Sequence, residues 1–131
     1  MKALLKQMGI LVLAGLLAIS CSKPGSVYDG TSWQGKTGEY NSLRLTFSDC
    51  AQKCMVLSES WDVNGFGDGL GFELDVEWPS RNSFHLQIVE KGETLTFYSG
   101  VINGDTMTLQ ELRHEENHTY QLQKVTNPLD Y

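Results

Sequence analysis

The segment F-E-L-D-V-E-W-P-S-R-N-S-F-H-L-Q-I-V, Phe72–Val89, holds two runs in which apolar and polar residues take turns. Phe72, Leu74, Val76 and Trp78 alternate with Glu73, Asp75 and Glu77, and Phe84, Leu86 and Ile88 alternate with His85 and Gln87. Successive side chains of a strand leave on opposite faces, so each run predicts a strand with one wet and one dry face. Pro79-Ser80-Arg81-Asn82 between them is turn chemistry, which makes the pair an antiparallel hairpin.

The same alternation recurs on both sides of this hairpin. Strands are predicted at Thr31–Tyr40, Ser42–Ser48, Cys54–Trp61, Phe72–Trp78, Phe84–Glu90, Thr94–Ile102, Thr106–Arg113 and Thr119–Val125. Lys91-Gly92 and Asn103-Gly104-Asp105 are strong hairpin turns, and no segment has a convincing helical period. Eight strands in about a hundred residues, joined by tight turns, predict an all-β fold: an eight-stranded antiparallel up-and-down barrel over residues 30–126. An open two-sheet sandwich is the alternative, but closure removes the exposed edges that endanger a secreted all-β chain.

At the N-terminus, Lys2 and Lys6 precede the uncharged, largely apolar run Met8–Ile19. A basic start followed by a short apolar core describes a secretory signal peptide over residues 1–20, because a spanning helix needs roughly 20 apolar residues. The run ends Leu17-Ala18-Ile19-Ser20-Cys21, which resembles the lipobox of bacterial lipoproteins, although Ala18 stands where Leu is more usual. That resemblance implies lipidation of Cys21 as the mature N-terminus and a place in the bacterial cell envelope, with the outer membrane the expected site. Residues 21–29, with Pro24 and Gly25, then read as a tether, and Asn127–Tyr131 as a frayed tail.

Removing residues 1–20 leaves 111, enough for one domain with its own core. Lys2 and Lys6 are two of the chain's ten basic residues and the segment holds no acidic one, so eight basic residues face sixteen acidic, a net charge of −8. Such a surface repels phosphate backbones and argues against nucleic-acid binding. With Cys21 assigned to lipid, Cys50 and Cys54 remain, flanking Ala51-Gln52-Lys53 at a hairpin tip. An oxidising compartment permits a disulfide between them, worth about 2 kcal/mol for so small a loop. A metal pair or redox dithiol is less attractive: no further ligands are spaced for zinc, and the motif is not Cys-x-x-Cys.

Gly30-Thr31-Ser32-Trp33 on the first strand resembles the Gly-x-Trp motif of lipocalins, shifted by one residue. Tyr98–Leu109, Y-S-G-V-I-N-G-D-T-M-T-L, and Tyr120–Val125 are similar to the closing half of the small lipocalin-like lipoproteins of gut Bacteroidota. The resemblance spans most of Gly30–Val125. In lipocalins the first-strand Trp packs beneath an Arg near the last strand; here the last strand offers Lys124, and Arg113 lies one strand earlier.

Three stretches invite sharper chemistry. His114-Glu115-Glu116-Asn117-His118 is a literal His-Glu-x-x-His, which on a helix would place two imidazoles on one metal with Glu115 as general base. Its flanks alternate as strands, which predicts a solvated turn instead, and His85 is the only histidine left to complete a site. Asp62, Asn64, Asp68 and Glu73 fall at positions 1, 3, 7 and 12 of a calcium loop, with Gly67 at the sharp turn. Phe66 occupies a ligand position and no helices flank it, so a Gly-rich connection over Asn64–Gly71, with Phe66 and Leu70 as a lid, is the expectation. Glu73, Asp75 and Glu77 share one strand face, which suits solubility better than a glycosidase pair flanking a bond.

Two functions follow, neither enzymatic and neither needing a cofactor or metal. In the first, the barrel of a lipid-anchored monomer binds a small apolar ligand among Trp33, Leu43, Leu45, Phe47, Leu57, Phe72, Leu74, Phe84 and Phe97. In the second, the barrel is solid and its loops engage another protein, as lysozyme-inhibitor lipoproteins do on a similar architecture. Small barrels are often filled by their own side chains, so the volume of the interior separates the two.

Overall fold

The computed structural model describes residues 21–112 and 117–126. The predicted signal segment 1–20, Arg113, His114 and Glu115, and the tail 127–131 lie outside these residues. A 3-10 turn, Ser26–Tyr28, precedes eight strands: β1 Ser32–Gly38, β2 Asn41–Ser48, β3 Lys53–Trp61, β4 Gly67–Glu77, β5 Ser83–Glu90, β6 Glu93–Asn103, β7 Thr106–Glu111 and β8 His118–Lys124. Each pairs antiparallel with the next, and β8 returns to β1 through Trp33↔Lys124 and Gln34↔Gln123 to close the barrel. All eight predicted strands are present. The central hairpin is β4–β5, in register at Asp75↔Gln87, Val76↔Leu86 and Glu77↔His85.

Alternation works as the chain's patterning requires. Leu43, Leu45 and Phe47 of β2 face the dry interior, while Arg44 and Thr46 between them are only half-buried on the outer face. Leu74 and Val76 of β4, Phe84 and Leu86 of β5, and Met107 and Leu109 of β7 meet them across the barrel axis. Fully burying a side chain of this size contributes roughly 1.5–3 kcal/mol, so these inward rows hold the wall closed.

One end of the barrel, its base, is shut by aromatic rings. Tyr28 stacks on Trp78 with centroids 5.5 Å apart, and Trp78 leans on Phe47 and Phe84 at 5.5 and 5.3 Å. Phe47 meets Phe84 edge-on at 5.3 Å. The Trp78 indole donates to the Ala51 carbonyl at 2.8 Å and the Tyr28 hydroxyl to Asn82 Oδ1 at 2.5 Å, which satisfies both polar groups of the cluster. Gly25 lies against the same ring: a Cβ there would fall 2.1 Å from Trp78, and its φ of +80° suits glycine. Part of the stretch read as a tether is thus folded into the base of the domain.

The cysteines pair differently from the sequence expectation. Cys21 is bonded to Cys50, and Cys54 is free and buried. Cys54 sits opposite Leu74 on the inner face of β3, fully enclosed, whereas Cys50 belongs to the outer turn between β2 and β3. The Cys50–Cys54 bridge therefore fails because one sulfur faces the core. Asp49, Cys50 and Ala51 of that turn all have φ between 53 and 60°, a left-handed run that non-glycine residues seldom adopt. Three hydrogen bonds from backbone amides clamp it: Ala51 N–H to the Asp29 side chain at Oδ1, Gln52 N–H to Asp49 O, and Val76 N–H to Gln52 O.

Candidate binding surface

The nine residues expected to line a ligand cavity separate into three groups. Trp33, Leu43, Leu45, Phe47, Leu74 and Phe84 are buried in one mutually packed cluster, each no more than 4 % exposed. Trp33, whose register partner on β8 is Lys124, donates its indole N–H to Thr31 Oγ1 at 2.9 Å. Leu57 does not face inward at all. Val56 and Cys54 take the inner face of β3, so Leu57 lies outside, against the bare backbone of Gly71 and Gly69. Phe72 and Phe97 are half-buried and pack against the top of the core.

Concave features lie outside the core. One of about 400 Å³ runs along the base between Ser22–Val27 and Trp78–Arg81. One of about 380 Å³ lies at the β3–β4 tip, beside Glu59, Trp61 and Asp68, and one of about 450 Å³ at the β5–β6 tip, between Ile88 and Leu95. None of these is lined by Trp33, Leu45, Phe47, Leu74 or Phe84.

The end opposite the aromatic base is open, and the reason is a seam in the wall. β3 and β4 stay paired out to Trp61↔Gly67, and β5 and β6 out to Glu90↔Glu93, yet β4 and β5 part company above Asp75↔Gln87. The register of β5–β6 shifts between Leu86 and Gln87, leaving Phe97 as the extra residue of a bulge. A bulge increases local twist and bends the strand, and this one lies level with the last β4–β5 pair. Apolar side chains on the inner faces of the two tips are left uncovered: Leu70 is 68 % exposed, Leu95 61 % and Ile88 38 %. Ile88 and Leu95 lie in predicted strands and Leu70 in the expected lid; the parting of β4 from β5 leaves all three uncovered.

Gly67–Gly71 is strand, not the flexible connection that was expected. Gly67, Gly69 and Gly71 lie opposite Trp61, Glu59 and Leu57, so glycine occupies the outer face of β4 where alternation would otherwise show a side chain. The turn shrinks to residues 62–66, where Asp62 Oδ1 accepts from Asn64 N–H at 2.9 Å and Phe66 N–H at 3.0 Å. This geometry dissolves the calcium loop. Five residue steps of extended chain from Asp68 to Glu73 place their Cα atoms roughly 17 Å apart, while calcium ligands sit about 2.3–2.6 Å from the ion. His118, the described end of the His-Glu-x-x-His motif, begins β8 opposite Glu111 and stacks on Tyr120 at 6.4 Å. Among the described residues, no three His, Cys, Asp or Glu side chains are grouped to hold a metal.

Glu73, Asp75 and Glu77 do share the outer face of β4. Asp75 is paired with Lys53, whose pKa that hydrogen bond raises, and Glu77 lies 4.0 Å from His85 Nδ1. Two groups have larger shifts. Burial pushes the Cys54 thiol up to about 12. Burial, reinforced by the bond its hydroxyl donates to Glu111 Oε2 at 2.9 Å, pushes the Tyr120 phenol up to about 12.

Comparison of the chain with protein-family models, curated proteins and solved structures finds no match. The eight-stranded closed barrel itself fits a lipocalin-like fold.

Proposed function

We propose that the chain is a lipocalin-like protein of the bacterial cell envelope whose barrel is a solid scaffold that binds a partner protein through its open end. The observation that carries this reading is the filled interior: six of the nine residues suited to line a ligand cavity are instead packed on one another. Binding surface is then available only outside, where Leu70, Ile88 and Leu95 stand uncovered beside the two hairpin tips. Uncovered apolar side chains grouped in this way are a mark of interaction surfaces. A small apolar molecule seated shallowly above Phe72 and Phe97 is the second reading, favoured by the inward aim of those same side chains.

The envelope location rests on residues 1–21, with Cys21 as the lipid-bearing residue. Its sulfur has two exclusive fates, because an atom that carries a thioether to lipid cannot also be bonded to Cys50. Intact mass of protein extracted from membranes decides between added acyl mass with a reactive Cys50, and the loss of two hydrogens. Cys21→Ser is expected to release the protein from the membrane fraction; an unchanged fraction ends the lipid reading. For the barrel, native mass spectrometry is expected to show the bare domain. A stoichiometric co-purified lipid, displaced from a Phe97→Ala variant, would replace the scaffold reading with the ligand one.

A further inference from the structure

We propose that the unpaired edge of β4, from Gly67 to Glu73, is a docking site for an extended, cationic segment of a partner protein, which adds to the barrel wall as a strand. This rests on the scaffold reading above and names the chemistry of the partner.

The edge is defined by the direction of the backbone. Val76 N–H donates to Gln52 O on the β3 side. Because backbone groups of a strand alternate sides, Leu74, Phe72, Leu70 and Asp68 also face β3, while Glu73, Gly71, Gly69 and Gly67 face away from it. Lower down, the away-facing positions Asp75 and Glu77 are in register with Gln87 and His85 of β5. Above Asp75 that partner is missing, so the amides of Gly69, Gly71 and Glu73 point into the seam. The Gly69 amide is consistent with this: it donates at 3.1 Å to the side chain of its own neighbour, Asp68 Oδ1, where a paired strand would supply a carbonyl.

An open strand edge is a template for β-addition, and proteins ordinarily blunt it with charge, a bulge or proline. Here the outer face of the edge strand has no side chains of its own at three alternate glycines, and Leu57 of β3 leans against Gly69 and Gly71. What guards it is charge of one sign. Glu59, Asp62, Asp68, Glu73, Glu90 and Glu93 are all exposed around the two tips, against Lys91 alone. A second copy of the chain pairing edge to edge would bring these carboxylates together and is disfavoured. A strand bearing Lys or Arg on its outer face meets them favourably, and apolar residues on its other face cover Leu70 and Ile88. Alternating basic and apolar residues are thus the recognised pattern.

The test uses the full chain and a capped octapeptide of alternating lysine and valine as the probe. Binding is read by anisotropy of the labelled peptide, and amide exchange by NMR. The expected result is saturable binding, with exchange at Gly69, Gly71 and Glu73 slowed at least tenfold. The same peptide N-methylated at alternate amides, which cannot complete a ladder, should bind at least tenfold more weakly. Gly71→Pro should weaken binding equally, because it removes an edge donor without touching the β3 ladder. A Cβ at Gly71 meets only ordinary contacts, 3.7 Å to Leu57 Cδ1 and 3.9 Å to Met55 Sδ. Absent binding, unchanged exchange at the three amides, equal affinity for the methylated peptide, or dimers formed through this edge would each overturn the proposal. Those outcomes leave the scaffold reading standing, whereas a lipid inside the barrel sinks the scaffold reading without altering the edge amides.

Discussion

One added methyl group tests whether the interior is filled. Gly100 lies on β6 directly opposite Phe84 of β5 and Leu109 of β7, and it is buried. A Cβ at this position would fall 2.2 Å from Phe84 Cζ, 2.5 Å from Cε1 and 2.8 Å from Cε2. Carbon atoms rest about 3.5–4.0 Å apart, so the ring must retreat by more than about 1 Å. It has nowhere to go: Phe47 and Trp78 each hold it at 5.3 Å, and it is fully enclosed. Overpacking of this kind costs about 1–3 kcal/mol, and the enclosed ring places Gly100→Ala in the upper half of that range. For a domain of this size about 2 kcal/mol lowers the melting temperature by roughly 8–16 °C. Phe84→Leu also destabilises, but it vacates the volume that the new methyl group needs. The double variant should therefore be more stable than the sum of the two single losses by about 1 kcal/mol or more, read by urea denaturation of all four proteins. A Gly100→Ala loss below about 0.5 kcal/mol, within the range of an ordinary surface change, would show slack around Phe84. It would refute the filled interior, as would strict additivity in the cycle.

Two further outcomes follow from the cysteines and Tyr120. In protein produced from residue 21 onward, reduction of Cys21–Cys50, which closes a separation of 29 residues, should lower stability by up to about 3.5 kcal/mol. Denaturant midpoints with and without reductant check this, and Cys50→Ser should abolish the difference. Stability should also fall as pH rises from 9 towards 12. Cys54, ordinarily at 9.0, and Tyr120, ordinarily at 10.0, are both held protonated to about 12 in the fold, so the unfolded chain binds fewer protons in that window. Denaturation at pH 8 and pH 10.5 should show the decline, and Cys54→Ala with Tyr120→Phe should lessen it, leaving the smaller share of Tyr28 and Lys53, which the fold also holds protonated to higher pH. A slope unchanged in that double variant would place the titrating groups elsewhere.

The chain's patterning carries much of this architecture and is silent on the rest for physical reasons. Alternation is a local property, so Leu43, Leu45 and Phe47, or Leu74 and Val76, declare their inner face from neighbours two residues away. Leu57 shows the limit of that signal. It was grouped with the interior because it is apolar, yet Val56 beside it holds the inner face, and parity rather than hydrophobicity decides. The Cys21–Cys50 bond was illegible for a different reason. Nothing in a five-residue window tells that Gly25 and Tyr28 pack on Trp78, and that packing is what brings Cys21 to the turn after β2.

The open end was hidden by glycine itself. Gly67, Gly69 and Gly71 erase the outer half of the alternation, so a strand resembles a flexible connection, and the calcium spacing across it looks better than it is. Once Gly67–Gly71 is strand, the same residues that cannot gather round an ion become a row of backbone groups without a neighbour. Leu70, Ile88 and Leu95 continue the inner rows of their strands and yet meet water, because a wall closes only where both strands of a pair continue. The one-residue bulge at Phe97 of β6 lies level with Gln87, the last residue of β5 that pairs with β4. Removing that residue should let the pairing run on past Asp75↔Gln87, covering the amides of Gly71 and Glu73 and abolishing the partner edge.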